Sequence, residues 1–408
     1  MNGRPILIVG AGIAGPALAI ALRRAGYDTV VYESMPQPRD DAGAFLNIAP
    51  NGLKALEALG LAGAIEDLGF LNDRLVFRND SGRVLADVAV GGVTMQRGEL
   101  SRALRGSATD AGADIQFGKR LLTVEEWGGG VAARFSDGET ILGAALVGAD
   151  GIHSRTRDSF FPEAPRPVYA GRLNLGGVVP TDLPPTGTAM HMIVGRRGSF
   201  GYAVRPGGDT WWWSEYALTD EPPRDVLEIR DGTIYQERLQ EIHRDGPPEV
   251  AHILAAVRHD IGAWAAYDLA SIPRWHRGKI CLIGDSAHAV GPHLGQGTSL
   301  ALEDAFVLAR CVRDIRDPAA AFPAFERLRR ERVERVAAQS RRGGPRTVPA
   351  RGLTRAFRDL MLPVILKRAA RATEWMYSYP MSWDERIPSA GKLRTVPPPG
   401  EGRAGVGA

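Results

Sequence analysis

Three glycine-centred stretches of this chain carry residue types that can hold a nucleotide. "GAGIAG" places Gly10, Gly12 and Gly15 at GxGxxG spacing, with Ala14 inside the same turn. Gly10 permits a tight turn, Gly12 lets backbone approach a pyrophosphate, and Gly15 lets a helix pack on the preceding strand. Glu33 follows Gly12 at close to the interval of about 20 residues at which an acid meets a ribose hydroxyl. A carboxylate there argues against a 2′-phosphate, but the motif leaves FAD and NAD(P) both open. The second stretch, "VGADGIHSRTR", puts Asp150 and Gly151 after an apolar run and before a hydroxyl and arginines. The third, "ICLIGDSAHAVGPHLGQGTS", puts Asp285 after an apolar run, followed by Pro292, His293, Gly295, Gln296, Gly297 and Thr298.

Positioning such residues requires strands that end on them. "ILIVG" is a buried-strand pattern, the helix after it is predicted to reach about Arg24, and "TVVYE" is a second strand ending on Glu33. "AALVG" and "ICLIG" read as further strands ending on the Asp150-Gly151 and Gly284-Asp285 pairs, and a helix is predicted to begin near Thr298. "RFSDGETILGAALVGAD" reads as a meander turning at Asp137-Gly138. From Arg166 to Ala270 the pattern changes to short alternating strands, joined by "LVFRND" and "RVLADVAV" from earlier in the chain. In "GDTWWWSEYAL", strand periodicity puts Trp211 and Trp213 on one face and Trp212 on the other.

Composition sets bounds. A net charge of +3 over 408 residues gives no reason to expect nucleic acid as a partner. The arginine-rich run Glu326 to Arg346 reads as a solvated basic helix with some acidic partners. Cys281 and Cys311 are too few for a disulfide framework and read as buried thiols of a cytoplasmic protein. Cys and His show no zinc spacing, so no metal is expected. The first residues lack the pattern of a signal peptide, and no stretch has the length of a stable membrane span. Leu360 to Tyr379 reads as a packed terminal helix, and "RTVPPPGEGRAGVGA" as a disordered tail.

In that order, the three stretches resemble the fingerprints of the group A flavoprotein monooxygenases, the p-hydroxybenzoate hydroxylase-like family. "GDSAHAVGPHLGQG" is similar to the family's GDAAH…P…GQG pattern, and "MQRGEL" to the segment where an arginine, here Arg97, opens a helix beside the flavin's ribityl chain. The likeness covers roughly Ile6 to Arg330 and is nearest in character to single-component salicylate, 3-hydroxybenzoate and urate hydroxylases. It implies an α/β fold: a Rossmann-like FAD-binding domain (1–73, 96–165 and 271–317), a β-sheet substrate domain (74–95 and 166–270), C-terminal helices (318–392) and a tail (393–408).

The resemblance also implies roles. Asp285 bonds the ribityl or pyrophosphate region, and Pro292 shapes the wall beside the isoalloxazine ring. Gly295, Gln296 and Gly297 admit close backbone approach, and the helix from Thr298 aims its N-terminus at the pyrimidine end, where reduced flavin is anionic. His288 is read as structural, bonding backbone near the loop. The implied reaction uses NADH or NADPH and O2 to hydroxylate an aromatic or heteroaromatic small molecule through a flavin hydroperoxide. Epoxidation, oxidative modification of an antibiotic, and a flavin-binding protein without activity are the competing readings. His293, Tyr202, Tyr216 and His191 are candidate bases. Arg196, Arg197 and Arg205 are candidates for an anionic substrate, and Trp211 and Trp213 for an aromatic wall. With no second strand-led GxGxxG, the nicotinamide donor is expected to visit a surface groove. Oligomeric state is left open.

Overall fold

The computed structural model describes residues 3–38, 40, 45–66, 68–259, 261–291, 295–343, 361, 363–365, 368 and 371–387. Pro292 and His293, and the whole stretch 393–408, lie outside them.

A six-stranded sheet runs in the order His276–Arg277, Ile280–Leu282, Ala145–Gly148, Ile6–Val9, Thr29–Tyr32, Asp114–Gln116. All neighbours are parallel except the first pair. Ile6–Val9 and Ala145–Gly148 are buried along their whole length, as strands covered on both faces must be. Helix Ala14–Arg24 returns the chain between the first two of these strands in sequence, ending at the residue expected. Pro16 sits in its first turn, where its missing N–H costs nothing.

The parallel strands place the three stretches. Val9 leads into Gly10, Tyr32 into Glu33, Gly148 into Asp150 and Leu282 into Asp285, all at carboxyl ends of adjoining strands. Open parallel sheets bind ligands along that edge. A small sheet of Phe45–Ile48, Val93–Gln96 and Gly69–Leu71 ends at Arg97, the first residue of helix Arg97–Asp110. The Asp137-Gly138 turn joins Gly130–Phe135 to Thr140–Gly143, with Gly138 at φ 90°.

A seven-stranded sheet runs Gly262–Asp268, Val168–Pro180, Asp209–Ala217, Gly198–Val204, Ala189–Val194, Arg74–Asn79, Val84–Ala89. "LVFRND" and "RVLADVAV" thus join it as expected. The region 166–270 departs from a pattern of short strands. Val168–Pro180 is a 13-residue strand, and helices Thr233–His243 and Pro248–Ala256 cover one sheet face. Trp212, Tyr202 and Tyr216 pack beneath those helices with Leu239 and Ile253.

Helix Pro318–Gly343 corrects the solvated-helix expectation. Arg329 is fully buried and Arg332 nearly so, both against carboxylates of helix Gly297–Ile315. The fold supplies partners that composition cannot reveal. In the C-terminal segment, Met376 is buried while Met361, Val364 and Ile365 are exposed. Cys281 and Cys311 are buried free thiols. No helix among the described residues is long and apolar enough to cross a membrane.

Candidate active site

The carboxyl edge of the parallel sheet and the uncovered face of the seven-stranded sheet enclose a cleft of about 2200 Å³. A single small-molecule pocket is typically about 300–1,000 Å³, so this one has room for a dinucleotide and a second ligand. Gly10, Gly12, Ala14, Glu33, Arg97, Asp150, Asp285, Gly295, Gly297 and Thr298 all line it.

Each glycine of the first loop is explained by what a side chain would meet. A Cβ at Gly10 would fall 2.4 Å from the Ala149 carbonyl oxygen, and the residue sits at φ 107°. A Cβ at Gly15 would fall 1.9 Å from the Gly10 carbonyl oxygen, so only glycine lets helix and loop touch. Gly12 has open space where its side chain would be. That is the cradle a pyrophosphate requires. Glu33 is held in place by the Ala11 and Met35 N–H groups, each at 2.9 Å.

The Asp150 carboxylate is occupied by its own turn. It accepts from Ser154 Oγ at 2.5 Å, and from the Thr156 N–H and hydroxyl at 2.9 and 3.1 Å. Burial raises its pKa, opposed by these bonds. Ser154 in turn caps helix Arg155–Phe160 through the Arg157 N–H. Arg157, read from sequence only as part of a helix opening, is almost fully buried and bridges two motifs. Its guanidinium donates to the Ile152 carbonyl at 2.6 Å and the Ser286 carbonyl at 3.1 Å.

Burial also raises the Asp285 carboxyl, opposed chiefly by the Arg97 charge. Asp285 opens a short helix whose preceding residue, Gly284, sits at φ 59°. The cap position is therefore Gly284, and Asp285 is the first helical residue rather than the N-cap. His288 bonds a carboxylate rather than the expected backbone: its Nε2 lies 2.5 Å from Asp304 Oδ2. The Gln296 side chain is fully buried and meets Asn51 instead of the cleft.

Strand parity sorts the remaining candidates. His191, Tyr202 and Trp212 are consecutive cross-strand partners and share the helix-covered face, as does Tyr216. None lines the cleft. Burial raises the Tyr202 phenol and pushes Tyr216 up to about 12, so both stay protonated near neutrality. Burial, then Arg78, lowers His191. The structure therefore corrects their reading as bases that face substrate. Arg197 pairs with Asp245 at 3.1 Å, Arg205 lies 5.9 Å over the Phe70 and Trp211 rings, and neither they nor Arg196 line the cleft. Trp211 is enclosed by Phe45 and Phe70.

Trp213 does line the cleft. So do Asn174, Ser199 and Glu215, which sequence reasoning missed. They are cross-strand neighbours two residues along from Trp213, on the same face: Asn174 pairs with Glu215, and Glu215 with Ser199. Glu215 is buried and accepts from Arg172 at 2.5 Å. Alternation within "WWWSEYA" was the one available signal, since Glu215 shares its parity with Trp213.

These loops fit FAD, and comparison with known proteins agrees. A family profile described as FAD binding domain matches residues 4–339. The chain is 31% identical over 346 residues to an FAD-dependent urate hydroxylase of Klebsiella pneumoniae, covering 82% of this chain and 88% of that protein. It is 30% identical over 392 residues to a 3-amino-4-hydroxybenzoate 2-monooxygenase of Streptomyces platensis, covering 93% and 97%. The crystal structure of Klebsiella pneumoniae HpxO complexed with FAD and uric acid superposes with a TM-score of 0.77 at 27% identity, covering 90% and 96%.

The fold and loops are those of an FAD-dependent monooxygenase. The chain belongs to the group A flavoprotein monooxygenases, the family of FAD-dependent aromatic and heteroaromatic hydroxylases.

Proposed function

We propose that this enzyme hydroxylates an electron-rich aromatic or heteroaromatic small molecule, with NADH or NADPH as reductant and O2 as oxidant. FAD supplies the redox and oxygen-activating chemistry. The chain's residues bind, orient and exclude water. Gly10, Gly12 and Glu33 would hold the dinucleotide end, Arg97 and Asp285 the ribityl region, and Gly295 to Thr298 the ring. Residues 1–73, 96–165 and 271–317 would form the flavin unit, supported by the six-stranded sheet drawing its strands from all three. The seven-stranded sheet, drawn from 74–89 and 168–268, would carry the substrate.

One observation carries the aromatic reading: Trp213 spreads its indole over Gly201 on the cleft side of that sheet, where a Cβ at Gly201 would fall 2.2 Å from Nε1. A flat aromatic wall suits a flat ring. Asn174, Ser199 and Glu215 beside it would read the ring's polar substituents. The relatives' names, urate hydroxylase and aminohydroxybenzoate monooxygenase, are consistent with such substrates. His293, between Gly291 and the cleft-lining Gly295, is proposed as the base that takes a substrate proton. Buried thiols at Cys281 and Cys311 support a reducing, cytoplasmic setting.

The test is to purify the yellow protein and follow NADH and NADPH oxidation against a panel of phenols, pyridines and purines. At least one ring compound is expected to accelerate oxidation and to gain one oxygen by mass. Bound FAD that neither nucleotide reduces, with or without ring compounds, would make this a flavin-binding protein without activity.

A further inference from the structure

We propose that Glu303 and Asp304, held by Arg329 and Arg332, are positioning residues for the flavin, clamping the two ends of the loop that carries Asp285. The loop leaves the sheet at Gly284 and joins helix Gly297–Ile315 at Gln296. Its ends are tied to consecutive residues of that helix. Asp304 Oδ2 accepts the Gly284 N–H at 2.9 Å and meets His288 Nε2 at 2.5 Å. Glu303 Oε1 accepts from Asn51 Nδ2 at 2.6 Å, and the same amide reaches Gln296 Oε1 at 3.0 Å.

The second helix closes the clamp. Arg329 Nε donates to Asp304 Oδ1 at 2.7 Å, and Arg329 Nη1 lies 2.6 Å from Glu303 Oε2, an ion pair without hydrogen-bond alignment. Arg332 grips Glu303 with Nε and Nη2, at 2.8 and 2.7 Å. Asn51, Gln296, Glu303, Asp304 and Arg329 are all 0% exposed.

Stability alone does not account for such an arrangement. Replacing a buried ion network by apolar side chains is often neutral or favourable. What this network supplies is direction. Two carboxylates one residue apart fix Gly284, and so Asp285, relative to Gln296, and so the helix N-terminus. Those are the two features that face the ribityl chain and the ring in the family reading on which this inference rests. Gly284 has little slack, because a Cβ there would already lie 3.3 Å from that of Ala301.

The experiment uses apoprotein stripped of FAD. FAD affinity, the visible circular dichroism of bound flavin and the apoprotein's thermal midpoint are measured for Arg332→Met, Glu303→Gln and Asn51→Ala. Asn51→Ala cuts the Gln296 link without stranding a buried charge, so it serves if the charge variants do not fold. FAD affinity is expected to fall about tenfold or more in each folded variant, with an altered flavin dichroism, whatever happens to the thermal midpoint. Arg332→Lys, which keeps charge but not the two-pronged grip, is expected to recover only part of the loss. Wild-type affinity and dichroism in folded Asn51→Ala and either charge variant would overturn the clamp, even if their thermal midpoints drop. Absence of FAD binding by the unmodified protein would instead overturn the flavin reading itself.

Discussion

Trp213 lies across the position where Gly201 would carry a side chain, its indole Nε1 only 2.2 Å from that missing Cβ. The two residues are cross-strand partners, in a row that also contains Met192 and Gly176. An aromatic ring can lie flat over a neighbouring strand only if that strand offers no side chain. Gly201→Ala is therefore expected to tilt the indole away from the sheet. FAD should remain bound, while KM for the ring substrate rises by about 2- to 13-fold, the equivalent of the roughly 0.5–1.5 kcal/mol an aromatic contact adds beyond burial. Steady-state kinetics beside flavin occupancy would show it. An unchanged KM would remove Trp213 from the substrate wall.

Gly12 and Gly15 should fail differently. Gly15→Ala drives a methyl into the Gly10 carbonyl, so the apoprotein itself should lose thermal stability. Gly12→Ala places its methyl where no described atom lies within 4 Å and should leave the apoprotein's thermal midpoint within a degree or two, yet weaken FAD retention by intruding on the phosphate cradle. Thermal midpoint and absorbance near 450 nm, read on the same preparations, separate the two.

Asp285→Ala removes a cleft-facing acceptor while leaving Gly284 tied to Asp304. A hydrogen bond to an ionised group is worth about 1.5–3 kcal/mol, so FAD affinity should weaken by roughly 10- to 150-fold. Fluorescence quenching on titrating FAD into apoprotein measures it, and an unaltered dissociation constant would refute the ribityl contact.

His293→Ala is expected to retain FAD and slow hydroxylation by about 10² to 10⁴, with loss of a pH-profile limb near neutrality. A side chain that only fills space would instead raise KM and keep the pH profile. Wild-type turnover and pH dependence in the variant would withdraw the histidine from catalysis.

His243 makes a separate prediction about stability. Its ring is buried against Ser214 Oγ at 2.8 Å, and burial lowers its pKa from 6.5 to about 4. Only the unfolded chain binds a proton on this residue between those values. Stability therefore declines as pH falls from about 6.5 and stops declining, on this account, below about 4, for a loss of about 3 kcal/mol. Urea unfolding at pH 7 and 4.5 should show most of that loss in the natural protein and a shallower pH dependence in His243→Gln. Equal slopes would assign the acid sensitivity elsewhere.

Local signals were enough to read the flavin loops. Gly10, Gly12, Gly15, Asp150 and Asp285 each follow an apolar strand, and the need for a tight turn or a close approach to phosphate is written in a few consecutive residues. The helix after Gly12 and the acid at Glu33 followed from the same stretch. Tertiary structure decided what those residues share: adjoining parallel strands carry all of them to one edge, and Arg157 ties two of the loops together.

The substrate side was legible only in part, for a reason of parity. A strand shows from its sequence which residues share a face, so Trp211 and Trp213 were correctly separated from Trp212. It does not show which face a helix will cover. Helices Thr233–His243 and Pro248–Ala256 settle on the face of His191, Tyr202 and Tyr216, and that choice put both tyrosines in the core, kept half-buried His191 off the cleft and left Trp213, Asn174 and Glu215 on it. Likewise, Arg329 and Arg332 look like any solvated basic residues in sequence. Only the packing of two helices, which buries both beside Glu303 and Asp304, assigns them a partner.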